Sequence, residues 1–249
     1  MAPKKSPTRH ERLEYQAFGE PRPAELRSPS KPSGDLVVIL AGDAMFGIEL
    51  ERPAARGLVE FGDRLAEALL DDGHAVVRPA GFDAVRDAAG CIDATRNLLT
   101  AARRSTEGHQ CSVVGLSATA PLLAVATAEL DVRSFVLVSP PILETYGNRP
   151  ERMELALAEA LGVPAEIAAE IGTLNPMQVG GEVAERALVV HGAADTVVPA
   201  ADAIGWRASL AASGVGAGRL EVAFAEHDLE PSADVAIDGI LTFLGREAR

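Results

Sequence analysis

Five short apolar runs set the terms for this chain: DLVVILA (35–41), HAVVRPA (74–80), CSVVGL (111–116), RSFVLVS (133–139) and RALVVHG (186–192). A strand with one wet face alternates polar and apolar residues, whereas a continuous apolar run belongs to a strand covered on both faces. Helical spacing fills the stretches between them. FGDRLAEALLDDG (61–73) sets Phe61, Leu65 and Leu69 on one face and stops at Gly73. Residues 84–104 hold Val85, Ala88, Ile92, Leu98, Leu99 and Ala102 in a broadly helical pattern, which Gly90 weakens locally. Further helices are expected over 118–130, 149–162, 164–172, 200–213 and 233–246, and a last strand over RLEVAFA (219–225). Upstream, RLEYQAF (12–18) and PAELRS (23–28) read as short edge strands, followed by the turn-rich connector SPSKPSG (28–34).

Strand–helix alternation with apolar strands predicts an α/β protein: a mostly parallel, eight-stranded sheet with helices on both faces. Residues 1–10 are polar and are expected to form a flexible N-terminal tail. Residues 11–249 are expected to form a single domain, in which 141–185 are a helical insertion between strands 6 and 7 that shapes a pocket. The chain has 249 residues, 47% of them hydrophobic but only 4% aromatic, so its core volume must come from Ala, Val, Leu and Ile.

Composition narrows the partners. With 23 Lys and Arg against 36 Asp and Glu, the net charge is −13, which disfavours nucleic acid and anionic membranes. No apolar run approaches the roughly 18 residues of a membrane span, and MAPKKSPTRHERLEY lacks the apolar segment of a secretory signal. Cys91 and Cys111 are too few for a disulfide framework and suit a reducing compartment, so a cytoplasmic location is expected. Without a Cys-x-x-Cys and with scattered histidines, neither a metal nor a cofactor is implied.

In parallel sheets, ligands bind beyond the carboxyl ends of the strands. Three such ends carry a hydroxyl, a carboxylate and an imidazole: Ser117 after 111–116, Asp195 after 186–192 and His227 after 219–225. Serine is a weak nucleophile until a base takes its proton, and that base needs an acceptor to hold one tautomer. In VVGLSATA the serine falls where strand gives way to helix. There Gly115 permits close approach, and the Ala118 N–H, at the helix start, can bind a developing oxyanion. Alone, Ser117 would read as a helix N-cap, and Asp195 as the cap of a turn. The three together carry the chemical reading.

These residues resemble the α/β-hydrolase superfamily, in particular its esterase/lipase-like and dienelactone-hydrolase-like branches, over about residues 11–246. VVGLSATA stands where that branch has Gly-x-Ser-x-Gly-Gly, and ALVVHGAADTVVP is similar to its His-Gly-x-x-Asp-x-x-Val-Pro segment. The resemblance implies an acyl-serine mechanism with Ser117 as nucleophile, Asp195 as acid and His227 as base, and backbone oxyanion donors at Ala118 and Asp43. Three positions depart from the family. Thr119 replaces the glycine two after the nucleophile. In LAGDAM, Ala41 and Asp43 replace the first and last residues of His-Gly-Gly. Thr119 can fix the turn through its hydroxyl.

Ala44, Met45, Thr119, Pro141 and Ile142 follow strand ends and are candidate substrate contacts. Trp206 reads as packing, His191 as structural, and Arg103 and Arg104 as complements to a helix dipole. The expected activity is hydrolysis of an ester or thioester on a small-molecule acyl substrate, free or carrier-bound. The alternatives are a thioesterase-like enzyme that transfers or cyclises the acyl group, and a non-catalytic binding protein.

Overall fold

In the computed structural model, residues 8–32, 34–42, 51–80, 87–106, 109–127, 130–142, 170 and 184–245 are described. Thr8–Ala17 (β1) and Glu20–Pro29 (β2) form an antiparallel hairpin, turned by Phe18 and Gly19, both at positive φ. Each strand runs longer than its apolar residues suggest, because backbone pairing continues past them. Thr8, Arg9 and His10 pair with Pro29, Ser28 and Arg27, so these last three residues of the expected tail belong to the sheet.

The five apolar runs become the inner strands Leu36–Leu40 (β3), Ala75–Pro79 (β4), Cys111–Leu116 (β5), Ser134–Val138 (β6) and Arg186–Gly192 (β7). Every residue of β3, β5 and β6 is buried, as continuous apolar runs demand. Gly216–Val222 (β8) completes an eight-stranded sheet of order β1-β2-β4-β3-β5-β6-β7-β8. Strands β3 to β8 pair in parallel, and β2 runs antiparallel to both its neighbours.

Strand β8 starts three residues earlier than 219 and ends at Val222, which corrects the expected 219–225. Its Gly216–Ala217–Gly218 stretch bears almost no side chain and lies at an exposed edge, so it carries no apolar signal. The apolar Phe224 and Ala225 belong to the turn that follows.

Among the described residues, four helices lie between strands, Pro53–Asp71 (α1), Ala88–Ser105 (α2), Thr119–Thr127 (α3) and Ala200–Ala212 (α4), and Ala233–Leu244 (α5) follows β8. Helix α1 begins well before 61, with Pro53 in its first turn, where the missing N–H costs nothing. Helix α2 is capped by the Asp87 carboxylate, which accepts from the Gly90 N–H. Helices α1 and α5 pack together, as do α2 and α3, while α4 lies against β7 and β8. Among the described residues no helix is long and apolar enough to cross a membrane. The helices expected over 149–162 and 164–172, and nearly all of the 141–185 insertion, lie outside the described residues.

Candidate active site

Strand β5 delivers Ser117 on a strained turn. Its φ is +52°, a left-handed conformation that costs a non-glycine residue free energy and clusters at functional sites. The Ser117 N–H donates to the Val138 carbonyl of β6 at 2.7 Å, and the Ser117 carbonyl accepts from the Ala120 N–H at 2.9 Å, which starts α3. Gly115 makes the turn possible, since a Cβ there would lie 2.8 Å from the Ala120 Cα. Strand and helix backbones meet too closely for any other residue.

Ser117, buried to 1% exposure, aims its Oγ at His227 Nε2 at 2.8 Å. The other ring nitrogen, Nδ1, lies 2.8 Å from Asp195 Oδ2. The second carboxylate oxygen, Oδ1, accepts from the Val197 and Val198 N–H groups at 2.8 and 2.9 Å. For Asp195, burial pushes the pKa up. The hydrogen bond and charge of His227 and the Val198 N–H outweigh it, so the carboxyl sits below the usual carboxylate range. An ionised carboxylate only accepts, which assigns the ring proton to Nδ1 and leaves Nε2 as an acceptor for the Ser117 hydroxyl. Ser117, His227 and Asp195 are thus brought together by three strand ends far apart in sequence.

No family model matches the sequence, and no curated protein matches it. Solved structures do match over nearly the whole chain. Est1E from Butyrivibrio proteoclasticus is similar at 14% identity and a TM-score of 0.64, covering 93% of this chain and 96% of its own. The esterase domain of a Rhodothermus marinus protein is 14% identical at a TM-score of 0.65, covering 95% and 97%. A lidless α/β serine hydrolase from Xanthomonas campestris is 16% identical at a TM-score of 0.63, covering 98% and 100%. The chain has the α/β-hydrolase fold.

Within this α/β-hydrolase fold the strand ends are laced together in order. As Ser117 binds Val138, so Ser139 just past β6 donates its N–H to the Val190 carbonyl of β7 at 2.8 Å. Ala193 just past β7 donates to the Val222 carbonyl of β8 at 2.9 Å. The loops that carry Asp195 and His227 also touch directly: the Ala194 N–H donates to the Ala225 carbonyl at 2.8 Å. Gly192 admits this contact, because a Cβ there would collide with the carbonyl oxygens of Ala225 and Glu226.

Of the departures from the family pattern, Thr119 is fully buried, and its hydroxyl faces backbone rather than a pocket. Its Oγ1 accepts from the Leu116 N–H at 2.9 Å and lies 2.8 Å from the Leu40 carbonyl of β3 and 2.9 Å from the Leu116 carbonyl. The hydroxyl thus forms a clasp between β3 and the turn that carries Ser117. The Ala118 N–H donates to no acceptor among the described residues. Pro141 and Ile142 are buried and anchored on α4, where the Trp206 indole donates to the Pro141 carbonyl at 3.0 Å and Asp202 accepts from the Ile142 N–H at 2.7 Å. Asp43, Ala44 and Met45 lie outside the described residues.

Two further side chains lie beside Ser117, His227 and Asp195. His191, read as structural, is buried with its Nε2 3.7 Å from Asp195 Oδ2. Burial holds its pKa below the ordinary histidine value, despite the opposing pull of the Asp195 charge. Ser139, at φ +46°, donates its hydroxyl to the His227 carbonyl at 3.2 Å. Its place directly after an apolar strand was the one available signal. Among the described residues, no group of three or more His, Cys, Asp or Glu side chains is placed to hold a metal ion.

Proposed function

We propose that this protein is a serine hydrolase that cleaves an ester or thioester through an acyl-Ser117 intermediate. The observation that carries the reading is the unbroken hydrogen-bonded line from Ser117 Oγ through both nitrogens of His227 to a buried, ionised Asp195. As Ser117 Oγ forms its bond to the acyl carbon, its proton passes to His227 Nε2. The imidazolium, stabilised by Asp195, then returns that proton to the departing alcohol or thiol as the acyl–leaving-group bond breaks. A water molecule repeats the sequence: His227 takes its proton, hydroxide adds to the acyl carbon, and Ser117 leaves with the proton restored.

The Ala118 N–H, just before α3 and without an acceptor among the described residues, supports its role as an oxyanion donor. The Asp43 N–H is proposed as the second donor on sequence order alone. Pro141 and Ile142, just past β6, are proposed to flank a small-molecule acyl group, free or carried on a larger molecule.

The test is labelling by a fluorophosphonate together with turnover of small activated esters. Ser117→Ala is expected to keep the fold by circular dichroism, to lose labelling, and to lose on the order of 10⁴-fold or more in kcat. A variant that still labels, or that turns over near the wild-type rate, overturns the assignment. Running the reaction with an added amine and analysing products distinguishes hydrolysis from acyl transfer.

A further inference from the structure

Four of the five non-glycine residues at positive φ among the described residues, Ser117, Ser139, Phe224 and Leu229, lie just past strand ends or in the loop that carries His227. The fifth, Phe18, turns the distant hairpin. Ser117 explains itself as the proposed nucleophile. Ser139 has no place in the proposed mechanism, yet it is fully buried and held at φ +46°. Glycine adopts that conformation without strain. The chain instead keeps a Cβ there, and with it a hydroxyl.

The hydroxyl has a specific partner. It donates to the backbone carbonyl of His227 at 3.2 Å, and among the described residues no backbone N–H donates to that carbonyl. Meanwhile the Ser139 N–H holds Val190 of β7 at 2.8 Å, and the carbonyl of the preceding residue, Val138, holds the Ser117 N–H at 2.7 Å. Two adjacent residues, Val138 and Ser139, therefore contact the nucleophile's backbone, the base's backbone and the strand that leads to Asp195.

We propose that Ser139 is a positioning residue, whose hydroxyl sets the distance between the His227 ring and the Ser117 hydroxyl by holding the base's peptide. The proposal rests on the reading of Ser117, His227 and Asp195 as the reacting groups. Loss of the hydroxyl frees the His227 peptide to shift, and Nε2 then leaves hydrogen-bond reach of Ser117 Oγ without any change in the surface that binds substrate. The effect belongs in kcat and not in KM.

The test uses the full chain with p-nitrophenyl acetate for kcat and KM, a fluorophosphonate for the rate of Ser117 labelling, and thermal unfolding to establish that each protein is folded at the assay temperature. Ser139→Ala removes the hydroxyl. Ser139→Gly removes it and relieves the strain, so it folds even if the alanine variant does not. Both are expected to lose on the order of 10-fold in kcat and in labelling rate, with KM within about two-fold of wild type. A folded variant with wild-type kcat and labelling overturns the proposal while leaving the serine-hydrolase reading intact. So does a loss carried by KM alone, and so does the failure of both variants to fold, which makes Ser139 purely structural. A wild-type protein that neither labels nor turns over ester overturns the underlying reading, and this proposal with it.

Discussion

At the scale of single residues, two buried groups tie the stability of the site to pH. Asp195 has its folded pKa depressed by the His227 contact and the Val198 N–H, in spite of burial. Its contribution is fully present above the unfolded value, about 3.9, and is lost as pH falls through the lower folded value. His191 is depressed for another reason, since burial penalises its charged form. The unfolded chain therefore takes up the His191 proton first, and stability declines as pH drops below about 6.5, the unfolded value. Thermal unfolding followed against pH is expected to be flat just above neutrality, to fall from about pH 6.5, and to fall again below about pH 4. His191→Leu should remove the first decline and leave the second. A first decline that persists in that variant would assign it elsewhere.

At the scale of elements, the Thr119 clasp joins β3, β5 and the start of α3. Thr119→Val keeps the shape and removes the hydroxyl, which leaves the Leu116 N–H and the Leu40 carbonyl short of a partner in the core. A loss of about 1–3 kcal/mol is expected by denaturant unfolding, and Thr119→Ser should recover most of it. An unchanged unfolding midpoint in the valine variant would show that the clasp contributes nothing. That hydroxyl role was legible beforehand, because a threonine stands where the related pattern has glycine. The inner strands were legible because burial on both faces leaves no polar residue to interrupt Leu36–Leu40 or Ser134–Val138. That Ser117, Asp195 and His227 would meet was legible because all three follow the carboxyl ends of parallel strands. The start of α1 was not, since Arg56 and Gly57 break its apolar spacing; Gly57 is there to clear Asp228, whose side chain fills the space a Cβ would need. Nor was Ser139, whose backbone angle leaves no mark on the pattern of side chains.

At the scale of the molecule, the two ends of the sheet differ. The β1–β2 hairpin pairs with the outer edge of β4 and packs against α2, burying Leu13, Tyr15, Ala17 and Leu26, while Ser117, Asp195 and His227 follow the ends of β5, β7 and β8. Deleting residues 1–31 bares an edge strand together with the apolar side of α2, the combination that recruits other chains. The truncated protein is expected to elute as soluble aggregates or precipitate on size-exclusion chromatography, despite the acidity of the chain. A monomer that melts like the full chain would mean that the hairpin is dispensable.

The lacing of strand ends also has a consequence in time. Ser117 and His227 are 110 residues apart in the chain, and the span between them must be closed before either can act, an entropic cost recovered only when β6, β7 and β8 have zipped into register. During synthesis the serine emerges early and the imidazole late. On the proposed serine-hydrolase reading, a nascent chain on the ribosome displays Ser117 as an ordinary hydroxyl until β8 and the loop that carries His227 have left the exit tunnel.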